Sequence, residues 1–342
     1  MNILVIKRIG SQTVKLENPI SIIGTSSIVG PKEGEGPLKT YFDVILEDDL
    51  WGQESFEKAE SKIQEESIKL AIANANLSPK DIEFLFSGDL LNQITTSSYT
   101  ARQLEIPHFG LYGACSTMTE SLSLGAMIVD GGFANNVVCA TSSHFASAER
   151  QFRFPLEYGN QRNFSSQWTV TGAGATVLST TGNGPYITYI TTGKILDLGI
   201  KDVSNMGAAM APAAIDTISQ HFKDTGYTPD DYDLIITGDL GLVGKKIVLD
   251  LMRKDGFDLS ENYSDCGIKI FDGVEQDTHA GGSGCGCTAV VFNGYIYKEM
   301  MKGNLNRVLL VATGALHSPI MTFQGESIPG IAHAVTIDNL VF

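Results

Sequence analysis

Apolar positions along the chain fall into two alternating patterns. In the first, Phe56, Ala59, Ile63, Leu70, Ala73 and Leu77 recur at spacings of three, four and seven, which puts them on one face of a helix. Glu54 with Lys58 and Glu65 with Lys69 stand four residues apart on its polar side and support it. Ile215, Ile218 and Phe222 repeat the pattern later, and so do Met118, Leu122, Gly125 and Val129, a run closed by Gly131-Gly132. In the second pattern, short apolar runs end in Gly-Asp or Ala-Thr and read as buried strands. Helices alternating with buried strands predict an α/β fold with strands covered by helices.

The order of these elements repeats. Residues 78–90 read SPKDIEFLFSGDL and residues 228–240 read TPDDYDLIITGDL, an offset of 150. A second pair matches at an offset of 172: GGFANNVVCATSSH from Gly131 and GNLNRVLLVATGALH from Gly303. Two matches in the same order indicate a duplication. The growth in offset predicts extra residues in the second half, between Met252 and Asp272. The expected division is 1–182 for one half and 183–342 for the other, meeting near TTGNGP at 180–185. A pseudo-two-fold of this kind brings equivalent strand ends to one cleft.

Composition narrows the function. The chain of 342 residues is 43% hydrophobic and 18% charged, enough to bury a large core. Its net charge of −15 argues against nucleic acid as a partner and against broad docking on anionic lipid. The start, MNILVIKRIG, lacks the features of a secretory signal, and no apolar run is long enough to span a membrane. The five cysteines include no C-x-x-C pair, so reduced thiols are expected. Cys285 and Cys287 have no second pair beside them and read as small core residues, with no metal.

Three stretches carry candidate chemistry. In LYGACSTM, Gly113-Ala114 permits a sharp turn that delivers Cys115 to the start of a helix. A thiol there feels the helix dipole, which favours thiolate and lowers its pKa; the plainer reading is a buried small residue. In DTHAGGSGCGC, His279 precedes the glycine-rich turn of the second half, and it is expected to face Cys115 across the cleft. Between His144 and Arg162, the basic residues Arg150, Arg153 and Arg162 interleave with Phe152, Phe154 and Tyr158. That run reads either as a solvated loop or as an anion site of Arg forks and aromatic faces. A fourth stretch, VTGAGATVLS, reads as architecture in which Gly172 and Gly174 allow close backbone approach.

With these residues in hand, the duplicated halves resemble the thiolase superfamily: thiolases and type III ketoacyl synthases. That resemblance implies a layered αβαβα fold with two packed mixed sheets and places Cys115 at the nucleophile elbow. Within it, VGPKEGEGPLKTYFD, CSTMTESL, SAERQFRFPLEYG, QWTVTGAGA, THAGGSGCGC and GESIPGIAHA are similar to the stage V sporulation protein AD family. The resemblance implies a dipicolinic acid-binding component of the spore channel complex, which takes up dipicolinate in sporulation and releases it in germination. It implies a homodimer, membrane subunits as partners, and a peripheral place on the spore inner membrane through those partners. No resident cofactor is implied, and calcium could accompany the ligand. Cys115, His279, Arg150, Arg153, Arg162 and Phe152 are the expected ligand-binding set. The alternative is an acyltransferase or condensing enzyme using Cys115. Against it, TGDLGLVGKK carries no histidine where type III synthases place theirs, and no cysteine follows Cys287.

Overall fold

The computed structural model describes residues 7–152 and 162–340. The first half contains β1 (Thr13–Val29), α1 (Pro31–Gly34), β2 (Val44–Ile45), α2 (Phe56–Asn74), β3 (Phe84–Gly88), α3 (Thr95–Leu104), β4 (His108–Gly110), α4 (Thr117–Asp130), β5 (Asn136–Ser143), α5 (Phe145–Phe152), β6 (Trp168–Thr169) and β7 (Gly172–Ser179). The second contains β8 (Tyr186–Thr191), α6 (Met206–Thr225), β9 (Leu234–Thr237), α7 (Gly241–Lys254), β10 (Tyr263–Asp265), α8 (Cys266–Ile270), β11 (Gly282–Ser283), α9 (Cys285–Val290), α10 (Tyr297–Met301), β12 (Arg307–Ala315), α11 (Pro319–Phe323) and β13 (Gly330–Asp338).

Strand order shows the duplication directly. One array runs β4-β3-β5-β7-β1 and the other β10-β9-β12-β13-β8. In each array the first three strands are parallel and the last two are antiparallel additions. The same cap opens β3 and β9. Asp81 accepts the Ser78 N–H and Asp231 the Thr228 N–H, both at 2.8 Å. Each carboxylate also accepts the hydroxyl of that Ser or Thr.

Two details differ from the sequence reading. The arrays are not separate sheets, because antiparallel pairing of β1 with β8 joins them into one ten-stranded path, with β2 added beside β1. β1 is long enough to do both jobs: Thr13–Lys15 pair with β8 and the stretch from Gly24 on pairs with β7. The extra residues also lie later than expected. Phe84 and Leu234 are 150 positions apart, His108 and Tyr263 are 155, and Ala140 and Ala312 are 172. Most of the insertion therefore follows Asp265, in the segment carrying α8 and the glycine-rich turn.

Helices lie in three layers. α2 packs outside one array, α6 and α7 outside the other, and α4 with α9 lies between them. Alternate residues of each strand face different layers. Val137 and Cys139 of β5 join Val308 and Leu310 of β12 in the central core, while Val138 and Ala140 pack with Ile68 and Ala71 of α2. Leu309 and Val311 turn outward to Ala214 and Ile218 of α6. Both faces of these strands are buried, which is why the sequence shows apolar runs there and no clean alternation.

Glycine sets the spacing between β7 and the central layer. A Cβ at Gly174 would stand 2.5 Å from the Ala289 carbonyl oxygen of α9, and one at Gly172 would stand 2.7 Å from the Ile28 carbonyl. Gly174→Ala must push a central helix off the sheet. Overpacking of this kind costs about 1–3 kcal/mol, so thermal melting should show a lower midpoint for Gly174→Ala than for the parent chain.

Candidate functional site

Two elbows, one from each half, meet at the central layer. The first is the turn before α4. Ala114 takes a φ of 50° there, and the Gly113 N–H donates to the Thr117 hydroxyl at 3.0 Å. Strands of both arrays press on this turn. A Cβ at Gly314 of β12 would stand 2.2 Å from the Gly113 carbonyl oxygen, and one at Gly88 of β3 would stand 2.3 Å from that of Leu111. The second elbow is the stretch before α9. β11 pairs in parallel with β6, and Gly284 turns the chain into α9 with a φ of 99°.

Cys115 is delivered to the cleft as the sequence predicts, but not as a thiolate. Its thiol is buried beside the carboxyl of Asp239, from the Gly-Asp of the second-half repeat. Asp239 accepts the Gly284 N–H at 2.9 Å, the Thr313 hydroxyl at 2.9 Å and the Ser283 hydroxyl at 3.1 Å. Burial pushes the Cys115 thiol well above its usual range, and the Asp239 charge pushes it further. This overturns the expectation of a lowered pKa: desolvation and an adjacent carboxylate outweigh the helix terminus. Burial likewise raises Asp239 to about 6, against the hydrogen bonds that favour its charge.

The cavity beside this pair measures about 100 Å³. Leu90, Ala148, Phe152, Val203 and Met206 supply apolar wall, and Cys115, Glu149, Gln167, Thr169, Ser204, Ser283 and His317 supply polar wall. The Phe152 ring lies 5.7 Å from that of His317. Gln167 donates to the carbonyls of Asp239 and Gly282 at 2.6 and 2.8 Å and ties the end of β9 to the second elbow. Among the described residues, no lysine or arginine lines the cavity.

His279 is not among the cavity-lining residues. Its φ of 52° turns the ring outward, with Nδ1 2.6 Å from the Asn163 carbonyl and Nε2 3.0 Å from Asp277 Oδ1. Ser283, further along the same turn, takes the place in the cleft expected of it. Arg162 also lies apart from the cavity and grips the carboxylate and carbonyl of Asp277. Arg150 is exposed, 3.4 Å from Glu57. Arg153, Phe154 and Tyr158 lie outside the described residues. Of the expected set, Cys115 and Phe152 share the cavity. His317 was missed. Its signal was its place at the end of the second-half repeat, just after the strand that matches the one before His144.

Behind the Leu90–Ala148 wall lies a second acidic group. Cys285 donates to the Ser142 carbonyl at 2.9 Å. The Ser142 and Ser147 hydroxyls donate to Glu60, at 3.1 and 2.7 Å. Burial, then the Asp89 charge, holds the Glu60 carboxyl well above its usual range. Asp89, the first-half counterpart of Asp239, accepts the N–H groups of Leu91 and Ser97 at 2.9 and 2.8 Å.

These carboxyls set a pH dependence. A carboxyl raised in the folded chain keeps its proton longer there than in the unfolded chain. Its contribution is therefore lost as pH rises from the unfolded value through the folded one. For Asp239 that window runs from 3.8 to about 6. Melting temperature should fall across it, and Asp239→Asn should flatten the fall. The same variant removes the charge that disfavours thiolate, so Cys115 should alkylate at least ~10-fold faster at pH 8 by peptide mass spectrometry, a gain of one pKa unit or more.

The chain is 49% identical over 333 residues to stage V sporulation protein AD of Bacillus subtilis (strain 168), covering 97% of this chain and 98% of that one. Its fold is similar to 3-oxoacyl-[acyl-carrier-protein] synthase III from Aquifex aeolicus VF5, with a TM-score of 0.57 at 15% identity over 93% of this chain and 99% of that one. An OleA variant from Xanthomonas campestris matches with a TM-score of 0.64 at 13% identity, over 95% and 98%. These likenesses establish the thiolase-like α/β architecture. Residues 10–338 match the family model for stage V sporulation protein AD, and the chain belongs to that family.

Proposed function

We propose that this sporulation protein binds dipicolinate in the cavity beside Cys115 and does so without turnover. The observation that carries the reading is the Cys115–Asp239 pair. A thiol held neutral beside a carboxyl can line a site, but it cannot readily attack a thioester. The cavity suits a small planar acid. α4 and the helical run that starts at Cys285 both begin at its wall, and helix N-termini favour anions. Phe152 offers a ring face, and Gln167, Thr169, Ser204 and His317 offer polar contacts. Calcium, where it accompanies dipicolinate, enters as part of the ligand.

In this reading the protein is a peripheral component of the spore channel complex, taking part in dipicolinate uptake during sporulation and release in germination. No helix among the described residues is long and apolar enough to cross a membrane; in this reading attachment to the inner membrane runs through membrane subunits. Among the described residues, β4 ends its array with one edge unpaired and with Phe109 half exposed. A second copy pairing along that edge gives a homodimer. Acyl transfer through Cys115 is the less favoured alternative, and incubation with acyl-CoA should leave Cys115 without a stoichiometric adduct by mass spectrometry.

Titration calorimetry tests the binding site. Dipicolinate should bind, and a pyridine dicarboxylate with its carboxyls at other ring positions should bind far more weakly. Phe152→Ala and His317→Ala should each weaken dipicolinate at least ~10-fold, or about 1.4 kcal/mol. Arg150→Ala should change affinity little, since its partner is Glu57. Full affinity in both cavity variants would move the ligand elsewhere.

A further inference from the structure

We infer that the face built from α11 and residues 195–203 docks a protein partner that presents an apolar anchor ringed by basic side chains. Single exposed apolar residues are ordinary, but a group of them on adjoining segments marks an interaction surface. Ile320 is 69% exposed, Phe323 86%, Leu198 73% and Ile195 63%. The two segments are tied to each other. The Ile328 N–H donates to the Ile200 carbonyl at 2.8 Å, Leu196 bridges Gly330, and Lys201 donates to the Gly325 carbonyl at 2.6 Å. From Val308 through Gly325 the sequence has no Asp, Glu, Lys or Arg, in a chain that is 18% charged.

The rim decides between lipid and protein. Asp197, Asp202 and Glu326 are exposed around the apolar residues. Hydrogen bonds from Ser327 and Gly199 hold Asp197 below the usual carboxylate range, so it stays charged. Lys194 is paired with Asp216, and the charge of Lys201, held on the neutral Gly325 carbonyl, offsets only one of these three carboxylates. An apolar centre with an acidic rim repels anionic lipid and complements a protein surface bearing Lys or Arg. The same segments run on to the cavity, which Ser204 and His317 line. A partner seated here therefore covers the approach to that cavity, a consequence that rests on the binding function proposed above.

The test is co-purification of the full chain, co-expressed with the membrane subunits of its channel complex, comparing the parent with an Ile320→Asp/Phe323→Asp variant. Both substituted side chains are exposed, and an unchanged melting temperature and unchanged dipicolinate titration verify the fold. The parent should co-purify, and the variant should lose at least tenfold of the recovered complex, with weaker recovery of the parent at high salt. Equal recovery of the variant overturns this docking surface. Failure of the parent to co-purify overturns the channel-assembly reading itself. Flotation of the parent with phosphatidylglycerol vesicles, lost in the variant, would assign the face to lipid. Loss of a dimer in sedimentation velocity would assign it to self-association. Either result overturns the protein partner.

Discussion

A helix layer enclosed between two arrays of strands has little face left for water, and this constraint governs the rest of the molecule. Polar groups in that layer look for partners inside, and the Glu120 Oε2 and Thr288 Oγ1 atoms are buried without one. α4 meets the demand with its own backbone: Thr117, Thr119, Ser121 and Ser123 each return a hydroxyl to a carbonyl one turn earlier. At Asn293, next to α9, the amide donates to the Ala289 carbonyl and accepts the Thr176 hydroxyl of β7. Glycines on the flanking strands supply the close approach that such a layer needs. The shifted titrations follow from the same enclosure, since a carboxyl or thiol there loses water before it gains a charge partner.

That enclosure also separates the two Gly-Asp repeats. Asp89 and Asp239 occupy matching strand ends, yet one caps local backbone while the other reaches the opposite elbow. The second use adds a charge that, after burial itself, disfavours the Cys115 thiolate. Hydrogen bonding and geometry at the elbow remain those of a nucleophile site, while the electrostatics have reversed. Burial makes the larger part of the reversal, and the Asp239 charge adds to it.

Much of this was legible in the sequence. The repeat segments carry their own capping residues, Ser78 with Asp81 and Thr228 with Asp231, so local chemistry announced the duplication. The Cys115 elbow was visible because a sharp turn needs small residues. The partners of Cys115 were not visible, because they depend on tertiary placement. His279 failed as a cleft residue because a left-handed backbone in a glycine-rich turn redirects the side chain, and nothing in residue type reveals that direction. Arg150 and Arg162 failed for a different reason: nearby carboxylates, Glu57 and Asp277, hold them outside the cavity. The joining of the arrays depended on how far β1 extends, and buried strands with apolar residues on both faces give little warning of where they end.

The position of α4 has a consequence for how the chain is made. Its first face is covered by β1, β3 and β5, all complete once residue 143 exists, but its second face rests on β12 and β13. Those strands are the last two synthesised. While a ribosome works through the second half, the growing chain carries an apolar helix with one side open and a long β1 whose early residues await β8. Such intermediates favour aggregation over slow, long-range pairing. The architecture that hides the cleft so well in the finished protein thus leaves its nascent form dependent on fast completion or on a chaperone's shelter.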